Sequence, residues 1–376
     1  MTTTDAVSKD PDSTPEWLTS HIRDGRGRKR GAKINDRQQR PPVIADVARL
    51  AGVSVPTVSR VLTGAARVTP DKRERVLAAI AELNYRPSPT ARLLVTRRSR
   101  IIAVIAGQTS QYGYAETIRG IEEAARADGY TVTITVVESA DEESVDRAVS
   151  HLLDQRADGI AVLKFDPPGV AALNKLPANV PVVAISGVRG KSVPQAVLDE
   201  THAAESLTNY LLDLGHKTVH HVRVPPSRRE DGRTTGWRRA LKTSGIVDVP
   251  APFEATWHPE SGRLIGREIA QDPSVTAVFC GNDEIAMGVI KGLTESGRRV
   301  PEDVSVVGFD DHPLARLWTP AITTVDQNFV ELGKRAFGLL RTAMAGESGP
   351  KFSSALPELV IRESAAPPGE SVASSE

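Results

Sequence analysis

Residues 43–62, VIADVARLAGVSVPTVSRVL, have the layout of two short helices joined by a tight turn. Apolar Val43, Val47, Leu50 and Ala51 recur at helical spacing, and small Ala48 leaves room for a second helix to approach. Gly52 supplies the positive φ that ends a helix, and Val53 can plug the junction. Ser54 is placed as the N-cap of a second helix over residues 55–62, its hydroxyl capping the Thr57 amide. Pro56 falls in the first turn, where a missing N–H costs little. On this reading Val58, Val61 and Leu62 face inward, while Val55, Pro56, Ser59 and Arg60 face outward. A short helix ending in Arg and held on another helix is the form in which such a unit reads a major groove. The stretch therefore predicts binding to a specific DNA sequence.

Charge supports that reading once it is resolved along the chain. The formal net charge of the 376 residues is zero, yet residues 1–100 carry 20 Lys and Arg against 10 Asp and Glu. The remainder carries 27 against 37, so a basic head precedes an acidic body, as expected when only one module is to meet phosphate. The single cysteine, Cys280, excludes an intramolecular disulfide and a cysteine-based zinc site, and its apolar setting predicts a buried thiol. No apolar run approaches the length of a membrane span and no apolar signal core opens the chain, which predicts a soluble cytoplasmic protein associated with the nucleoid.

Residues 1–40 are polar and aperiodic, a disordered extension whose second half is basic; it is either a solvated tail or an arm adding phosphate contacts. Thr69-Pro70-Asp71 opens a third helix over about residues 70–84, with Val76, Leu77, Ile80 and Leu83 as its apolar stripe. Pro87 and Pro89 mark a linker, in which TARLLV can form only a short helix. From residue 101 onward apolar runs (IIAVIA, TVTITVV, GIAVL, PVVAI, TVHHV, TAVFC, VSVVGF) alternate with amphipathic helices, the pattern of doubly wound parallel sheets. About 260 residues of it exceed what one sheet needs, which predicts two α/β lobes.

With both halves in view, the chain resembles the LacI family of bacterial transcriptional regulators over about residues 43–362. The motifs that carry the resemblance are DVARLAGVSVPTVSRVL through ELNYRPSPTARLL, then RTTGWRRAL, FCGNDEIAMGVIKGL, VPEDVSVVGFDD and TTVDQNF. The resemblance implies a multidomain fold: an all-α three-helix DNA-binding domain with a hinge helix, then a two-lobed α/β effector core like a periplasmic binding protein. The expected divisions are an N-terminal extension at 1–40, the DNA-binding domain at 41–86 and the hinge at 87–100. One lobe would take 101–198 with 327–356, the other 199–326 with 357–362, and 363–376 would be a disordered tail. Homodimers are implied as well.

The resemblance places Val55, Pro56 and Arg60 on base edges. Arg60 can bond guanine O6 and N7 bidentately, whereas Val55 and Pro56 offer only apolar contact, for example to a thymine methyl. Ser54, Thr57 and Ser59 are placed to bond phosphates. In the family a hinge leucine wedges into the minor groove; here it matches Leu94, beside Arg92, and its alternative is packing onto the core.

Ligands of such a core bind at the carboxyl ends of the strands. That rule selects Gln108, Phe165, Ser186, Asn282, Asp283 and Asp310, and the resemblance adds Arg233 as the charged anchor with Gln327 and Trp257 nearby. A sugar calls for this mixture of bidentate polar groups and a flat aromatic face. Asp283 is read equally as a helix cap, and Tyr112 and Tyr114 as either cleft or packing residues. No cofactor and no metal is expected: GxSxG, P-loop and HExxH motifs are missing, and His220-His221 lacks a third ligand. The sequence thus predicts a dimeric repressor of a pseudo-palindromic operator, controlled by a small molecule, a sugar by preference. Alternatives are control by a protein coregulator, action as an activator, and, most remotely, a carbohydrate enzyme with an accessory DNA module.

Overall fold

The computed structural model describes residues 41–63, 68–86, 98–187, 190, 193–225 and 231–369. The basic extension, the hinge positions Arg92 and Leu94, and the last seven residues lie outside them. The chain divides into two compact units, at Pro87 and Ser88.

The first unit holds three helices: α1 (Ile44–Leu50), α2 (Val55–Thr63) and α3 (Pro70–Glu82). Asp46 accepts from the Val43 amide at 3.0 Å, which starts α1. Gly52 sits at φ 64° and the Val53 amide closes back on the Ala48 carbonyl, so the turn has room for little but glycine. Val47, Ala48, Ala51, Val58, Val61, Val76, Ala79 and Tyr85 are buried together. This core is narrower than the apolar pattern suggests. Leu50, Leu62 and Leu77 remain 45%, 36% and 52% exposed, because three short helices share only one seam. Ser54 also departs from expectation: its hydroxyl meets the Thr57 hydroxyl at 2.9 Å, and the Thr57 amide donates to the Ser54 carbonyl instead.

In the second unit the first sheet contains β1 (Ile101–Ala106), β2 (Thr131–Val136), β3 (Gly159–Leu163), β4 (Val182–Ser186), β5 (Gln195–Leu198) and β11 (Phe352–Ala355). Their order is β11-β5-β4-β3-β1-β2 and every pairing is parallel, with Val104 opposite both Ile134 and Ala161. Near-continuous apolar strands suit a sheet covered on both faces. Helices α4 (Tyr112–Ala127) and α11 (Phe329–Ala345) bury one face, α5 (Glu142–Asp154) and α6 (Pro167–Lys175) the other.

The second lobe has a four-stranded parallel sheet, β7-β6-β8-β9, from β6 (His220–Arg223), β7 (Phe253–Glu254), β8 (Ala277–Cys280) and β9 (Ser305–Val307). Helices α7 (Glu200–Asp213) and α8 (Gly232–Thr243) pack on it with the antiparallel pair β10 (Thr324–Asp326) and β12 (Glu358–Val360). Trp237 is fully buried there and donates to the Val219 carbonyl at 2.8 Å. On the other face α9 (Pro259–Ile269) and α10 (Asp283–Glu295) cross backbone to backbone. A Cβ on Gly262 or Gly266 would strike the Ile285 or Val289 carbonyl oxygen, and one on Gly288 or Gly292 those of Pro259 or Arg263.

The chain passes between the lobes three times, through Asp199, through Gln327 and Asn328, and through Leu356 and Pro357. The expectation of disorder from residue 363 is corrected. Ser364 is fully buried, accepts from the Thr323 amide and donates to the Val306 carbonyl, while the Ala366 amide donates to the Ser305 hydroxyl. Polar partners in the second lobe thus hold a segment whose composition reads as a tail.

Candidate functional site

The second unit carries a cleft whose walls come from both lobes, at the carboxyl ends of their strands. Of the effector residues expected from sequence, Phe165, Ser186, Arg233, Trp257, Asn282 and Asp310 line it. Gln108 and Gln327 do not. Gln108 instead hydrogen-bonds Tyr114, and Gln327 is buried behind Asp310, donating to its Oδ1 at 2.6 Å. Both support the wall rather than form it.

Arg233 lies in the first turn of α8, where Asp231 caps the helix by accepting from the Thr234 amide at 2.7 Å. Its Nη2 stands 3.0 Å from Glu200 Oε1 and 3.1 Å from Asp310 Oδ1. Nη1 donates to the Gly281 carbonyl, and the guanidinium lies over the Phe309 ring at 4.6 Å. Arg233 and Asp310 keep only 12% and 13% of their side-chain exposure. Burial opposes the Arg233 charge, but Asp310, Glu200 and Asp231 outweigh it and raise its pKa. For Asp310 burial wins: its carboxyl is pushed up to about 7, although Arg233 and Gln327 pull it down. Two carboxylates and one guanidinium in a half-dry cleft form a polar anchor that a ligand hydroxyl can join.

Asn282, not Asp283, caps α10, its Oδ1 accepting from the Ile285 amide at 2.9 Å. Asp283 points into the protein and accepts from the Thr324 hydroxyl at 2.6 Å and the His312 amide at 2.7 Å. Burial raises its pKa well above the usual carboxylate range. Asp283 therefore fixes the loop after β9 and does not line the cleft. Asp311 likewise turns away, to Arg362 at 2.5 Å.

The apolar walls are Tyr112, Tyr114, Phe165, Trp257 and Phe329. Tyr114 packs edge-on to Phe165 at 5.2 Å and donates to Asp166 at 2.6 Å. Burial first, then Asp166, drives the Tyr114 phenol's pKa upward, so it remains a donor. The two tyrosines resolve differently: Tyr114 is buried, whereas Tyr112 is half-buried against Phe329 and His312.

Sequence reasoning missed Gln111, Lys164, Glu200, Asp231 and Glu284, which also line the cleft. Lys164 and Glu200 obey the strand-end rule: Lys164 follows β3, and Glu200 lies two residues past β5, a four-residue strand too short to stand out. His221 is fully buried, with its pKa lowered to about 4 by burial; Nδ1–H donates to the Phe279 carbonyl and Nε2 accepts from Thr234. It packs against Trp237 and Phe279, and no cluster of potential metal ligands occurs among the described residues. Cys280 is buried with its thiol pKa raised, and is inert.

The other candidate surface belongs to the first unit. Ser54, Val55, Pro56 and Arg60 are exposed on α2, with Thr57 and Ser59 half-buried beside them. Val55 is 39% exposed, and no element of its own unit covers it.

Comparison with known proteins adds two matching families. Residues 43–88 match bacterial regulatory proteins of the lacI family, and residues 208–365 match a periplasmic binding protein-like domain. The chain is 32% identical to the HTH-type transcriptional repressor PurR of Haemophilus influenzae over 334 residues, 85% of this chain and 98% of that protein. It is 32% identical to catabolite control protein A of Priestia megaterium, over 81% of this chain and 93% of that one. Among solved structures, the lac repressor dimer bound to operator and the anti-inducer ONPF superposes with a TM-score of 0.80 at 30% identity, over 87% of this chain and all of that one. A complex of the transcriptional regulator CelR with cellobiose gives 0.63 at 29% identity, over 86% and 99%.

Proposed function

The chain belongs to the lacI family of bacterial regulatory proteins, and from that premise we propose a dimeric repressor whose hold on its operator changes when a sugar or sugar derivative occupies the cleft. It is a DNA-binding regulator of transcription and not an enzyme. One observation carries the ligand reading: the Arg233–Glu200–Asp310 cluster stands in a cleft walled by Trp257, Tyr112 and Phe165. Charged hydrogen-bonding groups suit vicinal hydroxyls, and aromatic faces suit the C–H surface of a pyranose. CelR was solved with cellobiose, which supports the same class.

Coupling follows from linkage. A ligand that prefers one arrangement of the lobes shifts the protein toward it, and any difference in operator affinity between arrangements is then shared reciprocally with the ligand. Two copies of the recognition helix require a pseudo-palindromic operator. Arg60 supplies the strong hydrogen-bonding readout, Val55 and Pro56 apolar contact, and Ser54, Thr57 and Ser59 phosphate contacts; Arg92 and Leu94 complete the interface from the hinge.

Footprinting on fragments of the source genome, with and without a carbohydrate panel, tests this. A palindromic protected site whose affinity moves with one sugar is expected. Protection without symmetry refutes the dimeric reading, and a cleft silent in calorimetry to every carbohydrate transfers control to a protein partner.

A further inference from the structure

The cleft contains a carboxylate, Glu284, that has no Lys or Arg counter-ion among the described residues. Glu284 is the second residue of α10 and lines the cleft, where its Oε2 accepts from the Asn282 side-chain Nδ2 at 3.2 Å. The other lining carboxylates are accounted for. Glu200 and Asp310 share Arg233, and Asp231 caps α8. Among the described residues no Lys or Arg stands within ion-pair distance of Glu284, and burial raises its pKa. Lys164, the other cation lining the cleft, already has a partner within the protein.

Two further features point the same way. The side-chain oxygen of Gln111 is buried in the cleft lining without a hydrogen-bond partner among the described residues, an acceptor that a donor on the ligand can satisfy. Tyr112, Trp257 and Phe329 line the same space, and aromatic faces attract cations. A half-buried carboxylate is costly unless something donates to it, and an ammonium group satisfies it best. Among the described lining residues, an anionic ligand would meet Glu284 and Asp231, an Arg233 already shared by Glu200 and Asp310, and a Lys164 already partnered within the protein.

We propose that the effector carries a protonated amine, as an amino sugar does, with the ammonium paired to Glu284 and the hydroxyls on the Arg233–Asp310 cluster. This rests on the reading that the cleft binds a sugar-like effector. The experiment is calorimetry on the full chain at pH 6.5, with matched sets built on the glucose, galactose and mannose skeletons. Each set contains the hexose, the 2-amino sugar, its N-acetyl derivative and the hexose 6-phosphate. At least one amino sugar should bind about tenfold or more tightly than its neutral and N-acetylated partners, with the phosphate weakest. Glu284→Gln, checked for an unchanged thermal transition, should abolish that preference. Equal or tighter binding of a neutral or phosphorylated member overturns the amine assignment alone, as does a preference that survives in Glu284→Gln. Silence from all the compounds overturns it together with the sugar reading on which it stands.

Discussion

Replacing Asp310 with Asn should flatten the pH dependence of the core's stability. The Asp310 carboxyl is pushed from its usual 3.8 up to about 7, chiefly by burial, with Arg233 and Gln327 opposing and Glu200 and Glu284 adding to the rise. In the native state the group keeps a proton that the unfolded chain has released, so stability falls as pH rises from the unfolded value toward the folded one. Between pH 5 and pH 8 the loss continues over about two pH units, each worth about 1.4 kcal/mol, hence about 3 kcal/mol. For a unit of this size that corresponds to a Tm difference of about 5 °C. The Asn side chain keeps an acceptor for Gln327 and Arg233 but cannot titrate. Differential scanning calorimetry of wild type and Asp310→Asn from pH 5 to pH 8 reads the effect as a difference of differences. Contributions from Asp283 and Glu284 then cancel except for their coupling to Asp310, since both remain in the variant. Tm–pH curves parallel to within about 1 °C would show that Asp310 is not held protonated by its surroundings, and the account of the anchor would fail.

Three other outcomes are expected. Arg60→Ala should flatten specificity at one base pair per half-site and cost about 1–3 kcal/mol there, measured by selection and sequencing of bound DNA; thymine-to-uracil replacement should separately reveal any methyl contact of Val55 and Pro56. Arg233→Met should destabilise the core by about 3–5 kcal/mol at pH 8, because Glu200 and Asp310 lose their shared cation; lowering the pH to 5 should recover part of the Tm through protonation of Asp310. Gly266→Ala should cost about 1–3 kcal/mol in denaturant unfolding, since the new methyl meets the Val289 carbonyl oxygen and α9 must shift away from α10.

Legibility in the sequence followed the range of the interaction. The DNA-reading unit is local: Gly52 and the outward set on α2 are fixed within about twenty residues, and the turn at Gly52 has the expected left-handed backbone, although Ser54 engages the Thr57 amide through its carbonyl and not its hydroxyl. The alternation of strands and helices was equally plain, because parallel strands buried on both faces appear as apolar runs. The cleft was half legible. Strand ends pointed to Phe165, Ser186, Asn282 and Asp310, but the two-residue β7 and the four-residue β5 leave almost no pattern, and Glu200 was missed with β5. Gln327 was misplaced for a different reason. The backbone turns at Asp310 with φ 105°, and Gln327 approaches that carboxylate from behind the wall, a fact of three dimensions that no spacing encodes. Leu50, Leu62 and Leu77 show the converse, apolar residues at core spacing with no second seam to enter.

The three passages between the lobes are short, comprising Asp199, then Gln327 and Asn328, then Leu356 and Pro357. Links of one or two residues transmit twist but allow almost no sliding, so the lobes are joined as by a bearing. Gln327 is part of that bearing, and its amide grips the carboxylate that stands in the cleft. Asn328 beside it holds a left-handed backbone and caps α11, the helix that lies along the first sheet. A ligand that draws Asp310 toward itself therefore loads the axle directly. On the proposed reading, occupancy of the cleft is coupled to the angle between the lobes through one intervening side chain, that of Gln327.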